Sequence, residues 1–179
     1  MNESEQRTER NANIWAPWRI EYIRSLADEE QGCFLCRYGE APSRDSENLV
    51  LWRGTNCFAL LNRFPYTSGH TLVSPLSHVG GLENLGGGAM CEMFEMVRDL
   101  QCLLSKAIGA EGFNVGMNIG RCAGAGLPGH LHLHVVPRWH GDTNFMPIFG
   151  NVTVLPQALG ELYARLCRTA AELNLPKLS

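Results

Sequence analysis

The most informative segment of the chain reads His130-Leu131-His132-Leu133-His134-Val135-Val136-Pro137, in which histidines alternate with apolar residues. Side chains on a β-strand point alternately to its two faces. The alternation therefore predicts a strand over residues 131–136, with apolar side chains in a core and three imidazoles together on the opposite face. Because crowded imidazoles become charged only at a cost, this arrangement indicates chemistry rather than a purely structural role.

Two kinds of chemistry use such a histidine face. One is a metal site, since imidazole is a common zinc ligand, and the other is nucleophilic or acid–base work by neutral imidazole. No aspartate or glutamate occurs between Glu111 and Asp142, whereas Arg121, Arg138 and the glycine-rich loop 120–126 do. Glycines let backbone N–H groups approach an anion, and arginine pairs well with phosphate. These surroundings favour a phosphorylated substrate.

The central histidine of the segment is the best candidate nucleophile. Attack on phosphorus needs a neutral, correctly oriented imidazole nitrogen, and His132 has a histidine on either side to hold it. We therefore predict that His132 is the nucleophile and that His134 contacts the phosphate or the leaving oxygen. A covalent intermediate would divide one difficult displacement into two easier steps.

A cysteine pair, Cys33-x-x-Cys36, has the spacing of half a zinc site. His78 and His130 are the candidates for the other two ligands, which would make the zinc a structural one that anchors one end of the histidine strand. Free buried thiols and a redox dithiol are the alternatives. A redox pair would normally open a helix in a βαβ unit, and the sequence has no such unit there.

The composition is that of an ordinary globular protein: 179 residues, 45% hydrophobic and 18% charged, with a formal net charge of -3. A general binder of nucleic acids or acidic membranes should carry a basic excess, so neither a stable nucleic-acid partner nor a membrane partner is expected. No apolar run reaches the length of a membrane span, and the polar residues 1–10 cannot form the apolar part of a secretory signal. The seven cysteines are therefore expected to be reduced thiols in the cytoplasm.

Hydrophobic periodicity predicts five strands and two main helices. The strands are expected over residues 49–52, 57–61, 71–74, 113–119 and 131–136, with a turn over 62–69 and a tight loop over 33–36. Helical spacing of apolar residues predicts an amphipathic helix over 90–108 and a last helix that Pro156 opens. Strands, then a helix, then strands indicate an α+β fold with a mostly antiparallel sheet.

Residues 130–136 match the pattern His–apolar–His–apolar–His–apolar–apolar, and the sequence resembles the histidine triad (HIT) family well beyond it. Three further segments are HIT-like: Phe58-Ala59-Leu60-Leu61-Asn62-Arg63, Gly69-His70-Thr71-Leu72-Val73-Ser74-Pro75 and Gly112-Phe113-Asn114-Val115-Gly116-Met117-Asn118. Two segments resemble the diadenosine tetraphosphate phosphorylase-like branch: Trp15-Ala16-Pro17-Trp18-Arg19 and Arg138-Trp139-His140-Gly141-Asp142-Thr143-Asn144-Phe145. Together these motifs cover residues 14–165.

The resemblance implies a HIT-like α+β fold, with a mostly antiparallel five-stranded sheet, a long central helix and a C-terminal helix. A flexible arm is expected over residues 1–13 and a single HIT domain over 14–179, with two subunits forming a homodimer. The implied activity is cleavage of dinucleoside polyphosphates such as diadenosine tetraphosphate. His132 would attack the α-phosphate and form a nucleotidyl-histidine intermediate, and no organic cofactor is implied.

Other residues take their expected roles from the positions they match in the family. His130 and His134 complete the triad, and Asn118 contacts the phosphate chain near the scissile bond. The substrate-binding residues are Asn62 at the ribose, Leu72 in the base pocket, His70 behind the triad, and Gly124, Ala125 and Gly126 at the phosphates. The zinc ligands in members that bear zinc match Cys33, Cys36, His78 and His130, in agreement with the spacing.

One departure from the family pattern affects the second half of the reaction. Many members carry a hydroxyl or amide residue a few positions before the first triad histidine, and here Gly126 stands where a serine is expected. The acceptor of the nucleotidyl group, inorganic phosphate or water, is therefore left open. Three other functions are alternatives: a nucleoside phosphoramidate hydrolase, a nucleotide-binding regulatory protein with little turnover, and a hydrolase with catalytic zinc on all three triad histidines.

Overall fold

The computed structural model describes residues 32–142 and 158–178. The predicted arm over 1–13, the segment 15–19, residues 143–145 and Pro156 lie outside these ranges. Within them the strands are β1 (Val50–Arg53), β2 (Cys57–Leu61), β3 (Thr71–Pro75), β4 (Gly112–Met117) and β5 (Leu133–Arg138). The α-helices in the same ranges are α1 (Phe34–Gly39), α2 (Asp45–Asn48), α3 (Gly87–Ile108) and α4 (Leu159–Glu172).

The five strands form one antiparallel sheet in the order β1-β2-β3-β5-β4, which confirms the predicted α+β class. The histidine strand β5 lies between β3 and β4. In its register, His134 is opposite Leu72 of β3 and opposite Gly116 of β4. Since directly paired residues share a face of the sheet, these three residues lie side by side on one face.

The two faces of the sheet are covered differently. Helices α3 and α4 pack on one face, where apolar side chains from both helices and the strands form the larger core. The fully buried helical members of that core include Met93, Met96, Leu100, Leu103, Leu104, Leu162 and Leu166. The opposite face carries the histidines and a smaller apolar cluster that includes Leu35 of α1: Leu35, Val50, Phe58, Leu60 and Leu72.

Helix α3 follows from the apolar spacing, which brings its buried residues to one side. It begins at Gly87, three residues before the predicted start, and ends at Ile108; the next residue, Gly109, has a φ of 65°, the left-handed conformation that glycine tolerates best. The N–H of Gly109 donates to the carbonyl of Ser105 at 3.1 Å, which is the single hydrogen bond of an αL cap.

Buried Glu92 ties α3 to the turn between β1 and β2. Its carboxylate accepts the backbone N–H groups of Asn56 and Cys57, each at 3.0 Å. Gly54 leaves room for this carboxylate, because a Cβ there would lie 1.9 Å from Glu92 Oε1. The paired N–H groups offset the cost of burying the carboxylate.

Several other predicted boundaries differ from the structure. Strand β1 covers 50–53 rather than 49–52, β3 ends at 75 rather than 74, and β4 covers 112–117 rather than 113–119. Three further differences concern α1, β5 and α4. Residues 33–36 were expected to form a loop, but α1 begins at Phe34, and Arg53 donates hydrogen bonds to its last carbonyls. Strand β5 begins at Leu133 rather than Leu131, because the Leu131 N–H bonds instead to Val79 outside the sheet. Helix α4 begins at Leu159, after the residue predicted to open it.

Candidate active site and metal site

His132 lies immediately before β5 and is only 5% exposed. Its Nδ1 is 2.9 Å from the carbonyl oxygen of His130. A carbonyl can only accept, so Nδ1 carries the proton and Nε2 carries the lone pair. Burial lowers the pKa of His132, and the bond to His130 opposes this shift only in part. Burial thus favours the neutral form of this imidazole, and the hydrogen bond fixes which of its nitrogens carries the lone pair.

A chain of hydrogen bonds fixes the proton on His134 as well. The backbone N–H of Tyr66 donates to Nδ1 of His70 at 3.1 Å, and the Asn62 amide lies 3.2 Å from the same nitrogen. The proton of His70 is therefore on Nε2, which is 2.9 Å from Nδ1 of His134. Since Nδ1 of His134 accepts, its own proton is on Nε2, which makes Nε2 the hydrogen-bond donor of this ring.

Burial keeps His70 neutral within this chain. The side chain is fully buried, and its pKa is lowered to about 3 by burial first and then by the neighbouring His134 and His132. A neutral His70 can accept from Tyr66 and donate to His134 at the same time. A doubly protonated His70 could not accept, and the proton assignment of His134 would be lost.

Tyr66 covers this histidine pair with its aromatic ring. Its centroid lies 4.6 Å from that of His70 and 5.8 Å from that of His134, with an interplanar angle of 26° to His134. The ring is nevertheless 43% exposed. It therefore forms part of the surface beside the triad as well as packing on it.

A pocket of about 400 Å³ opens beside His134, between Tyr66 and strand β4. Asn118, just beyond the end of β4, and Arg138, at the end of β5, also line it. The structure thus brings His134 and Asn118 to one pocket, whereas their roles at a scissile bond stay predictions.

A second group of side chains clusters around His130. Its Nε2 is 2.9 Å from the carbonyl of Pro75 and must donate to it, which leaves the Nδ1 lone pair 3.2 Å from Cys33 Sγ and 3.4 Å from Cys36 Sγ. Nδ1 of His78 lies 3.2 Å from Cys36 Sγ. All four ligand atoms are within 4.8 Å of one another. Two sulfurs and two imidazole nitrogens in this arrangement match the donor set of a tetrahedral structural zinc site.

Comparison with known proteins identifies the family. The family model described as HIT domain matches residues 43–141. The AP-4-A phosphorylase of Mycobacterium tuberculosis is 37% identical over 151 residues, which are 82% of this chain and 77% of that protein. The chain belongs to the HIT family.

Two further HIT relatives extend the comparison. The asymmetrical bis(5'-nucleosyl)-tetraphosphatase of Schizosaccharomyces pombe is 33% identical over 52% of this chain and 50% of that protein. The crystal structure of a Zn-bound histidine triad family protein from Mycobacterium smegmatis matches with a TM-score of 0.64 and 25% identity, over 80% of this chain and 96% of that one. The predicted family and fold are thereby confirmed.

The three triad histidines of this HIT protein are not equivalent. The rings of His132 and His134 are 5.0 Å apart, whereas the ring of His130 faces the cysteine pair and His78. Within the described residues, the only cluster that could hold a metal contains His130 but neither His132 nor His134. This arrangement argues against the alternative in which zinc binds all three triad histidines.

Two features predicted to bind phosphate have other partners in this HIT structure. Arg138 is held by the carboxylate of Asp142 at 2.6 and 2.8 Å and donates to Asn114 at 2.9 Å, so its charge is already neutralised. The N–H groups of Gly124 and Ala125 donate within their own loop. Gly126 differs from them, because its N–H makes no backbone hydrogen bond in the part of the chain that the structure describes.

The predicted ribose and base residues are not among those that line this pocket. The Asn62 side chain accepts the Phe64 N–H at 3.0 Å and contacts His70. Leu72 is 4% exposed and packs within the smaller apolar cluster. Neither residue lines the pocket beside His134, and their substrate roles stay predictions.

Tyr66 and Gly116 were not singled out by the sequence pattern. Tyr66 falls in a segment that reads as a turn, and only the fold brings its ring over the histidines. Gly116 is one of many glycines, but the strand register sets it opposite His134. The HIT-like segment around Gly116 was the one available signal, and it did not separate this glycine from its neighbours.

The described helices include none that is both long and apolar enough to cross a bilayer.

Proposed function

We propose that this HIT protein cleaves dinucleoside polyphosphates, such as diadenosine tetraphosphate, by transferring an AMP group through His132 to inorganic phosphate. The AP-4-A phosphorylase of M. tuberculosis supports both the substrate class and the acceptor, because its match spans most of both chains. The observation that carries the proposal is the bond from His132 Nδ1 to the His130 carbonyl, which leaves Nε2 as a buried neutral nucleophile.

The first step breaks the bond between the α-phosphorus and its bridging oxygen. The lone pair on His132 Nε2 attacks the α-phosphorus, an Nε2–P bond forms, and the leaving group departs with the electron pair of the broken bond. The N–H on His134 Nε2 can donate a hydrogen bond to that departing oxygen and so stabilise the negative charge that develops on it. With diadenosine tetraphosphate, the products of this step are ATP and AMP bound to His132.

The second step transfers AMP from His132 to an acceptor oxygen and restores neutral imidazole. Inorganic phosphate as acceptor yields ADP, whereas water yields AMP. The tetraphosphatase of S. pombe supports the water route, but its match spans only half of each chain. Phosphate is therefore the acceptor we favour.

The test is an assay with diadenosine tetraphosphate, with and without inorganic phosphate, in which nucleotide products are separated and identified. Wild-type protein should release ATP together with ADP in phosphate, and should carry one AMP on a histidine when phosphate is withheld. His132→Ala should lower turnover by roughly 10³-fold or more while retaining the fold, because the nucleophile is removed. His140→Ala, at an exposed histidine outside the site, is the matched control.

Each other result points to a different function. AMP and ATP in phosphate identify a hydrolase, and cleavage of an adenosine phosphoramidate in preference to diadenosine tetraphosphate identifies the phosphoramidate hydrolase. Tight AMP binding with no product over hours identifies a regulatory nucleotide-binding protein. Near-normal turnover by His132→Ala would contradict the mechanism itself.

We further propose that Cys33, Cys36, His78 and His130 bind a structural zinc ion. The support is their donor set, their mutual distances, and the bond from His130 Nε2 to Pro75, which directs the other ring nitrogen toward the cysteines. When bound, zinc would hold two thiolates and two neutral imidazoles without taking part in the chemistry. Burial raises the pKa of the Cys36 thiol to about 11, with a further contribution from Cys33, so the metal would have to displace that proton.

Finally, we propose that two copies of the chain pair through strand β4. This strand is at the edge of the sheet and pairs on only one side within the described residues. Val115 on it is 40% exposed, and Ile119 just beyond it is 42% exposed. Uncovered edge strands with exposed apolar residues are uncommon in monomers, so a second copy is a suitable cover.

A further inference from the structure

The pocket beside His134 is open because the residue opposite that histidine has no side chain. Gly116 pairs with His134 and so lies on the same face of the sheet. A Cβ built on Gly116 would meet nothing within 4 Å, and its backbone is not in the left-handed region. The space next to His134 is thus left open by one glycine, and a larger residue there would occupy the pocket.

The far end of this pocket is polar but carries no free charge. Arg138 forms a bidentate ion pair with Asp142 and also donates to Asn114. A guanidinium already balanced in this way binds a further phosphate weakly, since the anion would have to compete with the carboxylate. Amide groups beside it suit a neutral polar group such as a nucleobase or a ribose.

The near wall of the pocket is aromatic. Tyr66 packs against His134 and is still 43% exposed. Every nucleobase has a π-face that can stack on an aromatic side chain, and such stacking strengthens binding by roughly five- to hundredfold per base. An exposed tyrosine at this distance from the reacting histidines is therefore suited to a planar base carried by the substrate.

From these three observations we infer that the pocket between Tyr66 and β4 is a subsite for the leaving half of the substrate, and that its occupant is the second nucleoside of a dinucleoside polyphosphate. The inference rests on the proposed function. The leaving group departs next to His134, its phosphates pass Asn118, and its base lies against Tyr66 above Gly116. Tyr66 and Gly116 would then determine specificity for substrates that carry a second nucleoside.

The experiment compares two substrates that share the reacting AMP half. Diadenosine tetraphosphate has a nucleoside in its leaving group, whereas adenosine 5'-phosphosulfate leaves only sulfate. The measured quantity is kcat/KM for diadenosine tetraphosphate divided by kcat/KM for adenosine 5'-phosphosulfate. Any defect in the nucleophile or in binding of the shared AMP half cancels in this ratio. Gly116→Val, Tyr66→Leu and Tyr66→Phe are compared with wild type, and the thermal unfolding of each variant is measured.

Gly116→Val should lower the ratio about tenfold or more, because the valine side chain fills the subsite. Tyr66→Leu should lower it roughly five- to hundredfold, as expected for loss of a stacked base, and Tyr66→Phe should keep it near the wild-type value. Gly112→Val is the matched control. Gly112 is on the same strand and the same face but does not line the pocket, and its Cβ would come no closer than 4.0 Å to Arg138.

The outcomes separate this inference from the proposed function. Folded Gly116→Val and Tyr66→Leu variants that keep the wild-type ratio within twofold would overturn the subsite, even if both slow the two substrates equally. An equal loss for both substrates would mean instead that the pocket holds the reacting half. Wild-type protein that cleaves neither substrate overturns the proposed function, and the subsite with it.

Discussion

Replacing His70 by glutamine should remove a large part of the acid sensitivity of this fold. The imidazole of His70 is fully buried, accepts the Tyr66 N–H and donates to His134, which is possible only in its neutral form. Its pKa is about 3 in the folded protein, against 6.5 for an ordinary histidine. Between these two values the unfolded chain binds a proton at this residue and the folded chain does not.

The sign and size of the effect follow from this difference. A histidine whose folded pKa is depressed contributes stability above the unfolded pKa, and that stability is lost as the pH falls through the window from 6.5 to about 3. Each pH unit within the window removes about 1.4 kcal/mol. Between about pH 7.5 and about pH 5, His70 alone should therefore lower the free energy of unfolding by about 2 kcal/mol.

The assay is urea unfolding of wild type and His70→Gln at several pH values across this range, at equal zinc content. Other titrating groups contribute to both proteins, so the informative quantity is the difference between the two pH dependences. The variant should lose about 2 kcal/mol less than wild type between the two end points. His140→Gln, at an exposed histidine, is the control for replacing a histidine. Parallel curves for wild type and His70→Gln would refute the assignment of a neutral buried His70.

Two further predictions concern the metal and the assembly. Purified protein should hold about one zinc ion per chain by elemental analysis. Cys36→Ser should lose most of this zinc together with thermal stability, whereas Cys122→Ser, at an exposed cysteine, should keep both. Equal zinc content in the two variants would contradict the ligand set. Light scattering should give twice the chain mass of 19.8 kDa for wild type and the mass of one chain for Val115→Glu. Leu82→Glu, at a residue of similar exposure, should stay dimeric. A wild-type mass of one chain would exclude the dimer.

The main elements of the fold could be predicted because each has a periodic apolar pattern. Residues 57–61 were located without error, and the long helix ends at Ile108 as expected, since Gly109 supplies the left-handed residue that terminates it. The histidine alternation correctly predicted a strand here and the burial of Leu133 and Val135 on the face opposite His134, although β5 covers 133–138 rather than 131–136. These features depend on local sequence alone, which explains their accuracy.

Other features depend on contacts between distant segments and had no local signal. Helix α1 has only six residues, too few for a periodic pattern, and Arg53 contacts its last carbonyls from β1. Arg138 was predicted to contact phosphate because the sequence does not show which charged residues become partners. In the fold, Arg138 forms an ion pair with Asp142. Tyr66 comes over the histidines through the path of the loop before β3, which spacing does not encode.

His130 explains why a metal site and a nucleophile occur in one short segment. Its side chain faces the cysteine pair through Nδ1, while its backbone carbonyl holds the Nδ1 proton of His132. A metal that fixes the His130 ring would therefore also restrain the carbonyl that sets which nitrogen of His132 is nucleophilic. Residues 130 and 132 both precede β5, whose pairing with β3 begins at Leu133. The His130 carbonyl is therefore not used in that strand pairing and is available to the His132 imidazole. In this arrangement the first histidine orients the second, His70 orients the third, and the pocket beyond the third is left open by Gly116.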